Sequence, residues 1–276
     1  MRFDNSYADK AIKIAAGAAI ILSTSAAGVY AHRNGYFEAA DGFFEESCRP
    51  VLVKAGIFEN YPRYILIGLD ITAGREHELA RDRAAISKLI NETRLGDVVE
   101  VYLIHSKSES DQETVFEAAM PEDSGPMGGD FTRAKQKAIK DWEACWKETV
   151  IPAMTSGRKQ QTDLFGFMRY VSGQKPEFME HKHANLVLFT DGQHVGGGNG
   201  YNMEKRAPEV TELQKLKEQG LLPELSGVNV NFVGVTATHK VTNAHWRQLQ
   251  TFWLEYVKEA GASKAIVTSD RKVRLL

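Results

Sequence analysis

The chain has 276 residues, 43% hydrophobic and 25% charged, which places it among globular proteins and excludes a disordered chain. Its 34 basic and 36 acidic side chains leave a net charge of −2, with no basic excess to serve as a nucleic-acid footprint. Two cysteines, Cys48 and Cys145, exclude a disulfide scaffold and a cysteine-rich zinc module.

The first segment with a clear pattern is Ile14 to Ala31, a stretch without a charged side chain. As a helix it would span about 27 Å, close to the ~30 Å hydrocarbon core of a bilayer. Three readings compete: a cleaved signal peptide, an uncleaved signal-anchor, and a buried alanine-rich helix. The two membrane readings are preferred, because the chain before Lys13 offers nothing to pack the segment against. Arg2, Lys10 and Lys13 precede it and place the amino end in the cytoplasm and the rest outside. Residues 1–32 are thus expected to be signal-anchor or signal peptide. Residues 33–62 form a connector, interrupted by Gly42 and Pro50.

From residue 63 to 276 strand and helix patterns alternate. Tyr64–Leu69 is a continuous apolar run ending at Asp70, as expected of a central parallel strand buried on both faces. Residues 75–91 carry Leu79, Ile86, Leu89 and Ile90 at helical spacing. Val98–His105 is a second strand, and residues 113–118 an antiparallel edge strand. Residues 131–154 read as one long helix with Phe131, Ala138, Trp142, Trp146 and Val150 on one face. Cys145 lies between the two tryptophans and reads as an unbridged thiol. A helix over 162–171, for which Thr162 is a fitting N-cap, precedes the strand Asn185–Thr190. Then come a helix over 208–219, a strand over 228–235, a helix over 243–260 capped by Thr242, and a short strand over 265–268. This order predicts an α/β fold, a doubly wound and mostly parallel sheet flanked by helices.

In such a sheet, ligands bind outside the carboxyl ends of the strands. Two strands end in an aspartate followed by small or hydroxyl residues, Asp70-Ile71-Thr72-Ala73-Gly74 and Thr190-Asp191-Gly192. Gln161-Thr162-Asp163 opens a helix between them. Carboxylates and hydroxyls on one edge, without His or Cys, suit a hard cation such as Mg²⁺ or Mn²⁺.

This pattern resembles the von Willebrand factor type A domain and its metal-ion-dependent adhesion site, over roughly Tyr64 to Thr268. The family has Asp-x-Ser-x-Ser after the first strand, a Thr before a middle helix and an Asp after the fourth strand. Asp70, Thr72, Thr162 and Asp191 stand at the matching places and in the matching order. Gly74 stands where the family has its second Ser. The resemblance implies a non-catalytic protein-binding domain whose partner supplies an acidic residue to the metal. The alternative is a Mg²⁺-dependent phosphohydrolase of the haloacid dehalogenase type, with Asp70 as nucleophile. That group has a second Asp two residues on, where this chain has Thr72.

Other candidates carry less. His181, His183 and His194 are expected to be exposed loop histidines, since no cysteine or carboxylate cluster accompanies them. Gly196-Gly197-Gly198-Asn199-Gly200 lacks the Lys-Ser/Thr of a phosphate loop and reads as a flexible loop. No Gly-x-Ser-x-Gly elbow marks a serine hydrolase.

Overall fold

In a computed structural model the described residues are 61–276, apart from 73–74, 107, 111, 113, 124–128, 156–160, 197–200, 237–241, 274 and 276. The expected leader over 14–31, nearly all of the connector, Cys48 and Gly74 lie outside them. The apolar runs become six strands among the described residues: β1 (Tyr64–Asp70), β2 (Val98–Ile104), β3 (Thr114–Ala119), β4 (Ala184–Phe189), β5 (Asn229–Val233) and β6 (Lys264–Thr268). They lie side by side in the order β3-β2-β1-β4-β5-β6. All neighbours run parallel except β3, which pairs antiparallel with β2 as the edge strand expected. The chain therefore winds outward from β1 through β2 to β3, then crosses back to β4 on the other side of β1. The strand order reverses between β1 and β4, where Leu69 pairs with Phe189. A crevice opens at such a reversal because the two connections leave in opposite directions.

Side chains alternate between the two faces of the sheet. Leu66, Tyr102, Ile104, Leu186, Leu188, Val230 and Phe232 point to one layer, packed by α4 (Leu164–Gln174) and α7 (Asn243–Glu259). Ile65, Ile67, Leu69, Val99, Val101, Val187 and Phe189 point to the other, packed by α1 (Glu76–Asn91) and α2 (Gly129–Cys145). Both faces are covered, so β1 and β4 read as unbroken apolar runs. The domain is α/β and doubly wound, as expected.

The long helix is continuous but not uniform. α2 passes through a π-helical turn (Trp146–Val150) into α3 (Ile151–Thr155). Ala138, Trp142, Trp146 and Val150 are spaced by four residues and are all buried. In a pure α-helix each step of four rotates the side chain by about 40° away from its predecessor. The wider π turn offsets this drift and keeps the row facing the sheet. Cys145, at its edge, carries a free thiol that donates to the Val115 carbonyl at 3.1 Å.

One expected helix is shorter and another is shifted along the chain. The segment over 208–219 is a 3-10 turn (Val210–Glu212) followed by α6 (Leu213–Glu218). The helix expected from Thr162 begins at Leu164, and a one-turn α5 (Pro176–Met179) follows it.

Gly68 lets α4 approach the centre of the sheet. A Cβ there would lie 2.6 Å from Phe167 Cε1 and 2.9 Å from both Ile104 Cδ1 and Leu188 Cδ2. All three neighbours are fully buried. Gly68→Val is therefore expected to cost about 1–3 kcal/mol through overpacking, read as a lower denaturation midpoint at unchanged m-value.

Candidate metal centre

The expected residues meet at the β1–β4 reversal. Asp70 closes β1 and is fully buried. Its Oδ1 accepts from the Thr72 hydroxyl at 2.7 Å and from the Thr72 amide at 3.1 Å. The Thr162 hydroxyl lies 3.4 Å from the same oxygen and 2.8 Å from Thr72 Oγ1. Asp70 Oδ2 accepts from the Thr190 hydroxyl at 2.8 Å. Three segments far apart in sequence thus converge on one carboxylate.

Asp191 lies two residues past the end of β4. Its Oδ1 accepts from the Gln193 amide at 2.9 Å, a turn that holds the carboxylate at the strand end. Gly192 has φ +80°, and a side chain there would come within 3.2 Å of Trp253. Trp253 Nε1–H donates to the Gly192 carbonyl at 2.7 Å, so α7 pins this turn from below. Asp191 and Thr72 remain partly accessible, whereas Asp70 and Thr162 are buried. Burial, reinforced by the negative charge of Asp70, pushes the Asp191 carboxyl up from 3.8 to about 6. Arg75 and the Gln193 amide oppose that rise.

Thr162 does not cap α4. The cap is Asp163, whose Oδ1 accepts from the Gly166 amide at 2.8 Å. This corrects the capping reading of Thr162 and leaves its hydroxyl turned to Asp70 and Thr72. The two neighbours therefore divide the work, and substitution separates them. Asp163→Ala is expected to cost about 1 kcal/mol as a lost cap. Thr162→Val should leave the cap in place and stability within about 1 kcal/mol. Thermal denaturation of both variants distinguishes the roles.

His194 is also corrected. It is fully buried rather than exposed. Its Nδ1 accepts from the Leu164 amide at 3.1 Å, and Nε2 faces the Gly196 carbonyl at 3.1 Å. It ties the loop after β4 to the first turn of α4. His181 and His183 are half-buried beside β4, with His183 stacked on Tyr61 at 4.9 Å. Among the described residues no group of three or more His, Cys, Asp or Glu forms a metal cluster. The strand-end set has two carboxylates, with hydroxyls for the rest. Such an all-oxygen donor set fits a hard divalent cation and gives no reason to expect a soft one.

Thr190 closes the expected strand and stands beside Asp191 in the sequence, but it is not among the four residues expected at the metal. From the sequence, Arg75 reads as the start of the helix over 75–91 with its arginines on the polar face, yet it is buried.

No family model matches the sequence, and no curated protein matches it. Solved structures do. The chain is similar to proximal thread matrix protein 1 from the mussel byssus, at 16% identity over 76% of this chain and 44% of that one, TM-score 0.38. It is similar to the ArnB paralog VWA2 from Sulfolobus acidocaldarius, at 13% identity over 78% and 43%, TM-score 0.41. A third is the pilus adhesin SpaC from Lactobacillus rhamnosus GG, at 12% identity over 77% and 28%, TM-score 0.42. The chain spans less than half the length of each. One structure of the thread matrix protein has a zinc-occupied MIDAS motif. By its own strand order, antiparallel β3 and strand-end residues, the described domain has a von Willebrand factor type A-like fold.

Proposed function

We propose that this domain is a non-catalytic protein-binding module that holds one Mg²⁺ or Mn²⁺ at Asp70, Thr72, Thr162 and Asp191. The carrying observation is the convergence of Thr72 and Thr162 hydroxyls on Asp70 at the strand reversal, with Asp191 beside it. Hydroxyls add donors without adding charge, so the ion stays electrophilic toward an anionic ligand from outside. A Glu or Asp of a protein partner is the fitting ligand, reaching the ion from the accessible side where Thr72 and Asp191 lie.

The phosphohydrolase reading is less well supported. Asp70 is fully buried and both its oxygens accept hydroxyl protons, which lowers its strength as a nucleophile. Thr72 stands where a leaving-group acid would be needed.

Titration calorimetry with Mg²⁺ and Mn²⁺ on the full-length chain tests the metal. Heat of binding that disappears in Asp70→Ala is expected. An absence of binding to the wild type overturns the metal reading. Gly74→Ser, which supplies the family's second hydroxyl, is expected to tighten binding.

We further propose that Ile14–Ala31 directs the chain to or through a membrane, with the domain on the extracytoplasmic side. The support is the charge-free stretch and the basic residues before it. Among the described residues no helix is long and apolar enough to cross a membrane. Recovery of the full-length chain in the soluble cytosolic fraction would overturn the proposal.

A further inference from the structure

Immediately behind the strand-end carboxylates sits a buried cation that belongs to the chain itself. Arg75 Nη1 donates to the carbonyl of Asp70 at 2.5 Å and to that of Phe189 at 2.9 Å. These are the last carbonyls of β1 and β4, so the guanidinium bridges the two strands at the reversal. The same nitrogen lies 3.7 Å from Asp70 Oδ2. Nη2 donates to Asp82 Oδ2 on α1 at 2.7 Å. Asp82 has a second partner, Arg271 Nε at 3.0 Å, from the segment after β6. The Arg75 side chain is 4% exposed.

A guanidinium is expensive to bury, and several carboxylates must offset that cost. Asp82 accounts for one of them and is itself shared with Arg271. The contacts to the two strand-end carbonyls are neutral and need no positive charge. What remains for the charge of Arg75 is Asp70, with Asp191 beyond it. Both belong to the candidate metal centre, and both face a positive charge whether or not an ion is bound.

We propose that Arg75 is a built-in counter-charge for Asp70 and Asp191, which lets the domain fold without a divalent cation and sets a low affinity for that cation. The inference rests on the metal reading above. Two positive charges, the guanidinium and the ion, compete for the same carboxylates. At protein-interior distances of several ångströms, removing one of them strengthens the other by a factor of about ten or more. The site would then fill at high ion concentration or when a partner's carboxylate joins the shell, rather than staying loaded. Ion and partner would bind together, each weakly alone.

The test uses the full-length chain and four proteins: wild type, Asp82→Asn, Arg75→Met/Asp82→Asn, and Arg75→Lys. The double variant removes both members of the buried pair, which avoids leaving Asp82 with an uncompensated charge. Mn²⁺ affinity is measured by electron paramagnetic resonance titration, and melting temperature is measured in EDTA and in excess Mg²⁺. Expected are wild-type affinity in Asp82→Asn and Arg75→Lys, and affinity at least about tenfold tighter in the double variant. The double variant should also gain more in melting temperature between EDTA and excess Mg²⁺ than the wild type does.

Equal, measurable Mn²⁺ affinity in all four proteins overturns the inference and leaves the metal reading standing. Absence of Mn²⁺ binding in every protein overturns both. A double variant that stays unfolded even in excess Mg²⁺ also overturns the inference, because Arg75 then acts as a strand clamp and not as a counter-charge.

Discussion

Asp191→Ala is expected to abolish Mg²⁺ and Mn²⁺ binding, a loss of at least about a hundredfold, while the metal-free domain becomes more stable at neutral pH. The carboxylate supplies one of two negative charges to the centre, and at ~1.4 kcal/mol per factor of ten a loss of that size needs only about 3 kcal/mol of ion attraction. The stability change has a definite pH dependence. Asp191 holds its proton more tightly in the folded state, at about 6, than at its ordinary 3.8. Its favourable contribution is therefore complete below about pH 4 and is lost as pH rises through about 6. In chelator the wild type should lose up to about 3 kcal/mol across that window, less where solvent screens the partly exposed side chain. Asp191→Ala should lack that slope, so its margin over the wild type opens above about pH 4 and is complete above about pH 6. In Mg²⁺ the order reverses, because the ion binds the ionised carboxylate and its affinity climbs with pH. Denaturant titrations at pH 4.5 and 7.5, each with chelator and with Mg²⁺, check all four corners. A variant that retains binding, or that loses stability in chelator at pH 7.5, sinks the assignment.

Trp253→Ala should produce the largest fall in stability of any single change near the site, about 3–5 kcal/mol. Trp253 is fully buried on α7 and packs against Phe232 at 5.0 Å and against Phe165, Phe252 and Tyr256 at 5.3 Å between ring centroids. Truncation removes all of these and leaves the Gly192 carbonyl without its donor. Trp253→Phe separates the two losses, since it keeps a ring and removes only the N–H. It is expected to cost about 1–2 kcal/mol and to weaken the divalent ion severalfold by loosening the Asp191 turn. Chemical denaturation of both variants, beside Mn²⁺ titration of Trp253→Phe, gives the partition. Unchanged ion affinity in Trp253→Phe would show that the turn holds its shape without the indole.

Much of this architecture can be read from the residues, because central strands of a parallel sheet are apolar on both faces and leave long runs such as Tyr64–Leu69. The ends of those runs carry Asp70 and Asp191, so the site's placement follows once the fold class is known. What stays hidden depends on partners distant in sequence. Glu100 interrupts the apolar run of β2, yet it is buried, held by the Tyr64 and Tyr102 hydroxyls and by Lys175 Nζ at 2.7 Å. Tyr102 is its neighbour on β2, but the other two partners come from β1 and from just beyond α4, and no local pattern announces those. Arg75 is hidden in the same way, by Phe189 and Asp82. Asp163 and Thr162 are each a fitting cap, and only the backbone path into α4 decides between them. His194 looks like a loop histidine because its acceptor role toward the Leu164 amide is long-range.

The three hydroxyls that converge on Asp70 come from neighbours two, 92 and 120 residues away. Hairpin contacts such as β2 with β3 close short loops, whereas the β1–β4 pairing that builds the centre must close a long one. The binding surface consequently exists only once that long-range pairing has formed. A chain without β4 docked beside β1 has nothing to offer a ligand. Occupancy of the centre is thereby a report on completed folding, and a ligand that binds there draws the whole population toward the finished sheet.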